Sequence, residues 1–311
     1  MSNVKRLINA SKSEINKMGP LELKESIYKS EGRVIMGQHL IFAGPGTVMG
    51  VTNAELLCSF GADMVMLNTI DLDNFENNPG LCGLTIKELK EKCNCPIGVY
   101  LGCPKKGEKR SDEKTLYRLA GMLATKEHIL KAVALGVDFI VLGGNPGSGT
   151  SIEDVIEVTK LVKEICGDDI FLFAGKWEAG IEEKVLGDPL AAYDTKDVIK
   201  RLIDAGADCI DLPAPGTRAG ITVDMIRELV EYIHRYKPGT LAMSFLNSSV
   251  ECADEDTIRQ VALLMKQTGC DIHAIGDGGF GGCTWPENIY QLSVSIKGKN
   301  YTWFRMASNS R

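Results

Sequence analysis

Gly206-Ala207-Asp208-Cys209-Ile210-Asp211-Leu212 sets a small residue and an aspartate in front of a run that reads as a short buried strand. The same opening recurs as Gly61-Ala62-Asp63-Met64-Val65-Met66-Leu67, as Gly136-Val137-Asp138-Phe139-Ile140-Val141-Leu142 and as Cys270-Asp271-Ile272-His273-Ala274-Ile275. Self-similarity at a near-regular period is the signature of one supersecondary unit copied along a chain. Working outward, each copy is preceded and followed by an amphipathic stretch. The spacing predicts strands at 39–43, 63–67, 96–101, 138–142, 170–174, 208–212, 240–246 and 271–275, each followed by a helix. Thr52-Asn53-Ala54-Glu55 and Ser151 to Asp154 have the form of helix starts.

Short continuous apolar strands alternating with helices are what a parallel sheet under a helical layer requires. Eight such units over roughly 250 residues predict an α/β chain folded as a single (β/α)8 barrel, with the repeat falling on alternate strands. Residues 1–36 carry apolar positions at helical spacing and read as a short N-terminal helical extension, and 37–311 as the barrel. The alternative, a doubly wound open sheet, expects a GxGxxG turn after the first strand, and Ala43-Gly44-Pro45-Gly46 lacks that form.

The 311 residues are 44% hydrophobic and 24% charged with a net charge of −6, which gives no field to gather nucleic acid or an anionic membrane. No apolar run approaches the roughly 18 residues of a membrane span, and Met1 to Lys12 lack a signal-peptide core, so a cytoplasmic location is expected. Self-association into a homo-oligomer is left open. Of the ten cysteines, the one close pair is Cys93 and Cys95, and Cys95 lies about 26 Å from Cys103 if the intervening strand is extended, too far to share one ion. Buried, reduced thiols are expected.

Period two separates the faces of the strands. Overlaying the copies puts Val65, Leu67, Ile140, Leu142, Ile210, Leu212, His273 and Ile275 on one face, suited to packing under helices. The other face carries Met64, Met66, Asn68, Phe139, Val141, Gly143, Cys209, Asp211, Pro213, Ile272, Ala274 and Gly276, suited to an interior that opens into a site. Asp211 is then an inward carboxylate, costly unless partnered or used, and a candidate acid/base. Asn68 at the mouth of strand two shares its parity and is a candidate substrate hydrogen-bonding group. Lys176 shares it too if Asp169 corresponds to the repeat aspartate, and a desolvated lysine there suits imine formation. Glu178 beside it completes the catalytic candidates. His39 is expected at the end of strand one away from the site. Asp71, Asp73, Glu178 and Asp211 are the oxygen ligands available to Mg²⁺, but the spacing of Asp71 and Asp73 is common in loops, so no metal is expected. The polar run 105–114 is expected as a solvated flap or lid.

After the last strand, Gly276, Gly278, Gly279, Gly281 and Gly282 put five glycines in seven residues, ahead of a helix opened by Trp285-Pro286. Bare backbone N–H groups facing a helix start can form an anion site. With these glycines and the repeated openings in place, residues 37–296 resemble the phosphate-binding (β/α)8 barrels, the group of indole-glycerol-phosphate synthase, phosphoribosyl-anthranilate isomerase and ribulose-phosphate epimerase. The resemblance implies phosphate binding after strands seven and eight, by Asn247, Ser248 and Ser249 and by Gly278, Gly279, Gly281 and Gly282. The loop after strand seven lacks the family's glycines and Asp277 puts a negative charge beside the site, so the alternatives are that Arg218 holds the ligand or that the glycines only turn the chain. It implies a lyase or isomerase acting on a small phosphorylated metabolite, with no cofactor. The Asp277-Gly278-Gly279 sequence also resembles loops of flavin-mononucleotide barrels, so an FMN-dependent oxidoreductase is one alternative and a non-catalytic metabolite-binding barrel another.

Overall fold

The computed structural model of the chain describes residues 4–105, 120–144, 149–178, 183–278 and 281–308. Strands β1 (Val34–Leu40), β2 (Met64–Asn68), β3 (Ile97–Gly102), β4 (Phe139–Gly143), β5 (Phe171–Gly175), β6 (Cys209–Pro213), β7 (Leu241–Leu246) and β8 (Ile272–Ile275) close into a barrel in sequence order. All pairs are parallel, and β8 returns to β1 through Val34 opposite Ile272. Helices α1 (Lys12–Ile15) and α2 (Pro20–Tyr28) precede the barrel. Around it lie α3 (Asn53–Ser59), α4 (Ile86–Lys92), α5 (Lys126–Ala134), α6 (Ile152–Cys166), α7 (Thr195–Ala205), α8 (Val223–Tyr236), α9 (Glu255–Gln267) and α10 (Pro286–Ala307), the last broken at Gly298. The boxes at Thr52 and Ser151 form as expected, each hydroxyl accepting from the backbone three residues on. No helix among the described residues is long and apolar enough to cross a membrane.

The four repeat aspartates explain why the motif recurs. Asp63, Asp138, Asp208 and Asp271 each stand just before an even strand and accept, through Oδ2, the backbone N–H of Ile35, Ile97, Leu172 and Ala242 in the preceding odd strand, at 3.0, 2.8, 3.1 and 2.9 Å. Each aspartate's own N–H donates to the carbonyl of that same residue. The motif is therefore a two-bond staple between neighbouring strands at the N-terminal end of the barrel. Each carboxylate also has a cation or a histidine: Lys297 and Arg305 on Asp63, Lys90 on Asp138, Lys24 on Asp208 and His234 on Asp271. A buried carboxylate needs such pairing to be tolerated.

Aligned on their aspartates, the even strands present successive inward levels: Met64, Phe139, Cys209 and Ile272, then Met66, Val141, Asp211 and Ala274, then Asn68, Gly143, Pro213 and Gly276. This is the layered filling of such barrels. The odd strands add Val34, Met36, Phe171, Phe173, Leu241, Met243 and Phe245 to the same apolar cluster. Val65, Leu67, Ile140, Leu142, Ile210, Leu212 and Ile275 belong instead to the layer under the helices, so the faces read from the even strands stand. Leu7, Ile8, Ala10, Ile15, Leu23 and Ile27 of the N-terminal segment join the interior cluster and close the barrel's N-terminal mouth, where Lys24 reaches Asp208.

Three expectations change. Strand one is Val34–Leu40 rather than 39–43, because Ile41–Ala43 turn off as a single 3-10 turn before Gly44-Pro45-Gly46. His39 therefore lies near the C-terminal end of β1, not the far end, and is fully buried with neither ring nitrogen hydrogen-bonded. Strand five is also offset by one residue from the expected register, since Phe173 pairs with Cys209 and Gly175 with Asp211. Finally, Cys58 at the end of α3 and Cys95 before β3 are paired as a disulfide with Cα atoms 6.7 Å apart, while the other eight cysteines are free.

Candidate active site

Asp211 occupies the middle even-strand level, the one ionisable group among Met66, Val141 and Ala274. Its side chain is fully buried and neither carboxylate oxygen has a hydrogen-bond partner. Burial alone pushes its pKa well above the ordinary carboxylate range, since no neighbouring charge opposes the loss of solvation. Gly175 lets β5 come this close: a Cβ there would lie 2.2 Å from the Asp211 carbonyl oxygen.

Above this level the interior is roofed by aromatic side chains. Trp177, just past β5, stacks on Phe245 of β7 with ring centroids 5.3 Å apart and planes 10° apart, and meets Tyr100 of β3 edge-on at 6.2 Å. It rests over Gly143, where a Cβ would stand 2.8 Å from the indole. The glycine at the top of β4 is thus what lets the indole lie across the mouth.

Around the roof stands a polar rim. Asn68 ends β2 and Asn247 follows β7; both are buried, and in each the side-chain Oδ1 lacks a partner. Each is followed by a non-glycine residue of positive φ, Thr69 at 63° and Ser248 at 71°. Such strain, severe for a β-branched threonine, collects where a fixed side-chain direction is needed. Asn247 Nδ2 donates to Glu178 Oε1 at 3.1 Å. Burial is the main effect raising the Glu178 pKa, partly offset by the Asn247 bond and by Arg218, while Asp277 adds to it. Arg218 keeps a buried Nε without a partner. Gln38, inward at the top of β1, donates to Asp277 Oδ2 at 2.7 Å. Glu251, in the 3-10 turn Ser248–Cys252, places its carboxylate against Gly276 at the top of β8.

The structure gathers Asp211, Asn68, Asn247, Glu178 and Arg218 at this end of the barrel. It moves Lys176. With Phe171, Phe173 and Gly175 inward, alternation turns Lys176 toward the helices, where its Nζ lies 3.9 Å from Glu183 Oε2. Glu183 in turn caps α6 at Ile152 N. The sequence misplaced Lys176 because the odd strands carry no repeat aspartate to set their register, so Asp169 is not a counterpart of Asp208. Lys176 is nonetheless buried, and desolvation lowers its pKa against the pull of Glu183 and Glu178. Of the glycine loop, Gly278 and Gly282 have φ of 75° and 99°, and a Cβ on Gly278 would strike Trp285 Nε1 at 2.3 Å. The Gly282 carbonyl accepts from Leu40 N, tying the loop to β1. Gly279 and most of the expected lid lie outside the described residues. Asp71 spends its carboxylate on the N–H groups of Asp73 and Asn74 and on Asn77, and Asp73 on His128 and Lys131. Among the described residues no group of three or more His, Cys, Asp or Glu could hold a metal ion. Sequence reasoning missed Glu251 and Gln38; the glycine at position 276, against Asn68 in the first copy, was the available signal.

A family model described as a domain of unknown function, DUF7916, matches residues 8–311. The chain belongs to this family. No curated protein matches it. Among solved structures it is similar to the carboxyl transferase domain of Rhizobium etli pyruvate carboxylase, in a Y628A variant with pyruvate, at 12% identity and a TM-score of 0.55. That match covers 99% of this chain but 52% of the other, so the chain spans about half its length. An archaeal fructose 1,6-bisphosphate aldolase matches at 13% identity and a TM-score of 0.53, covering 90% of this chain and all of the aldolase (100%). A Burkholderia cenocepacia J2315 protein, described only provisionally as a lyase or mutase, matches at 17% and 0.51, covering 83% and 81%. At these identities the likeness is one of fold.

Proposed function

We propose that the chain is an enzyme of lyase type that moves a proton next to a carbonyl of a small polar metabolite at the C-terminal mouth of its barrel. The observation that carries this is Asp211, a carboxyl fully buried in an apolar level with both oxygens unpartnered, where burial raises its pKa and favours the neutral form. A neutral carboxyl is poised to donate to a carbonyl or enolate oxygen, as carboxylic acids raised by apolar sites do. Glu178, raised by burial but bonded to Asn247, is the second acid/base group, and two carboxyls in different environments can divide donor and acceptor roles. Asn68 and Asn247 offer open acceptors to substrate hydroxyls. Aldolase, lyase or mutase, and carboxyl transferase barrels among the similar structures support carbon–carbon chemistry as the class. The phosphorylated substrate implied by the resemblance finds Arg218, Ser248 and the amides near Gly278, Gly281 and Gly282, and meets Glu251 and Asp277 in the same place.

The test is carbon-bound hydrogen exchange. Small carbonyl metabolites are incubated with the protein in deuterium oxide and read by proton NMR. Asp211→Asn is expected to reduce exchange on the compound the wild type turns over by roughly 10²–10⁴-fold, the usual worth of a positioned acid/base. An Asp211→Asn protein that exchanges at the wild-type rate defeats the assignment. Borohydride trapping followed by peptide mass analysis decides whether Lys176 forms an imine.

A further inference from the structure

The loops after β7 and β8 are where barrels of this architecture hold phosphate. Here that space contains part of the protein. Glu251 is 7% exposed, and its Oε2 lies 1.8 Å from where a Cβ on Gly276 would stand, so the carboxylate lies directly on the backbone at the top of β8. Three features hold it there. Gly276 N donates to Leu246 O at 2.9 Å, keeping the tops of β7 and β8 together. Asn288, in the first turn of α10, donates from Nδ2 to the carbonyls of Glu251 and Ala253, both at 3.0 Å, which clamps the turn carrying Glu251 to the helix. Glycine at 276 leaves the volume the carboxylate needs. Asp277 adds a second carboxylate one residue on, tied to Gln38. On the outer side, a cavity of about 750 Å³ is lined by Asp254, Glu255, Asp256 and Glu287 beside Trp285, so an anion approaching from there meets four further acids.

We propose that Glu251 is a built-in anion that fills the phosphate position of the barrel, and that the substrate carries no phosphate at that end. The inference concerns the ligand of the same mouth as the proposed lyase site, but it does not depend on Asp211 being the acid. A carboxylate that supplies the negative charge internally occupies the space at the top of β8 and repels an incoming dianion. It thereby selects unphosphorylated metabolites.

The test is thermal melting of the full-length protein in rising inorganic phosphate, with sodium chloride at matched ionic strength as control and far-UV circular dichroism as the check of folding. The wild type is expected to show no saturable phosphate-specific shift over millimolar concentrations. Glu251→Ala, which opens the space, is expected to gain a melting temperature that climbs with the logarithm of phosphate, as ligand linkage requires. Glu251→Gln keeps the shape without the charge and is expected to gain little. A saturable phosphate shift in the wild type overturns the proposal, as does a folded Glu251→Ala protein indifferent to phosphate. If Glu251→Ala does not fold, the wild-type titration decides alone: a saturable shift refutes and its absence supports. Because no turnover is read, failure here leaves the hydrogen-exchange result at Asp211 standing, and the reverse.

Discussion

Asp211→Asn has a stability signature that follows from its surroundings. In the folded chain the carboxyl is fully buried without a hydrogen-bond partner, and burial raises its pKa; in the unfolded chain it titrates near the ordinary value of about 3.9. This is the reverse of the usual paired aspartate, so the sign of the linkage reverses too. Below about pH 3.9 both states are protonated and the group adds no pH-dependent cost beyond that of burying an unpartnered polar group. Above it the unfolded state releases a proton that the folded state keeps, and stability falls as pH rises until the folded carboxyl ionises. The slope over that range is about 1.4 kcal/mol per pH unit, so moving from pH 5 to pH 7 while the folded carboxyl stays neutral removes about 2.7 kcal/mol. The asparagine variant buries an unpartnered amide whose cost does not vary with pH, so the difference between the proteins isolates the carboxyl. Urea unfolding at pH 5, 6 and 7 reads it. The variant is expected to gain stability relative to wild type with each step, at constant m-value. A difference independent of pH, or one that moves against the variant as pH rises, refutes the reading of Asp211 as a neutral, unpartnered acid.

Two further outcomes follow from the geometry. Asp63→Ala leaves Lys297 and Arg305, both fully buried, without their carboxylate, and urea unfolding is expected to show a loss of roughly 3–5 kcal/mol, larger than for Asp138→Ala, whose cation Lys90 is partly exposed. An equal loss at the two positions would place the staple bonds, and not the ion pairs, in control. Trp177→Ala removes the indole that covers the mouth, at a cost of about 3–5 kcal/mol, and lets water reach Asp211. The pH slope attributed to Asp211 is then expected to shrink when the Asp211→Asn comparison is repeated in that background.

Much of the fold was legible because one local device repeats. An aspartate that must both donate to and accept from the neighbouring strand can stand only at a fixed offset from its own strand, so recognising the four copies set the register of β2, β4, β6 and β8 together. Met64, Met66, Val141, Cys209, Asp211 and Ala274 face inward and Val65, Ile140, Ile210 and His273 outward, as alternation from the aspartates requires. The odd strands take part in the staple only through backbone N–H and C=O groups, which leave no trace in the side-chain sequence. That is why β1 was displaced onto residues 39–43 and why Lys176 was turned toward the axis. Glu251 was illegible for a different reason. Its position is set by Gly276 and Asn288, each more than twenty residues away, and only the closed barrel brings them together.

The repeats also separate what the fold demands from what it tolerates. At the aspartate level the four copies are identical, because the staple admits no other side chain of that reach and charge. At the next inward level above the first they read Met66, Val141, Asp211 and Ala274, and at the mouth Asn68, Gly143, Pro213 and Gly276. Three of the middle four are apolar, as packing there requires. A methionine or leucine at 211 would fill the level at no electrostatic cost, whereas the carboxyl destabilises the fold at every pH above its unfolded value. The fold therefore supplies no reason for Asp211, and it is as an unpaired group that the fold opposes that Asp211 carries the acid/base role proposed for it.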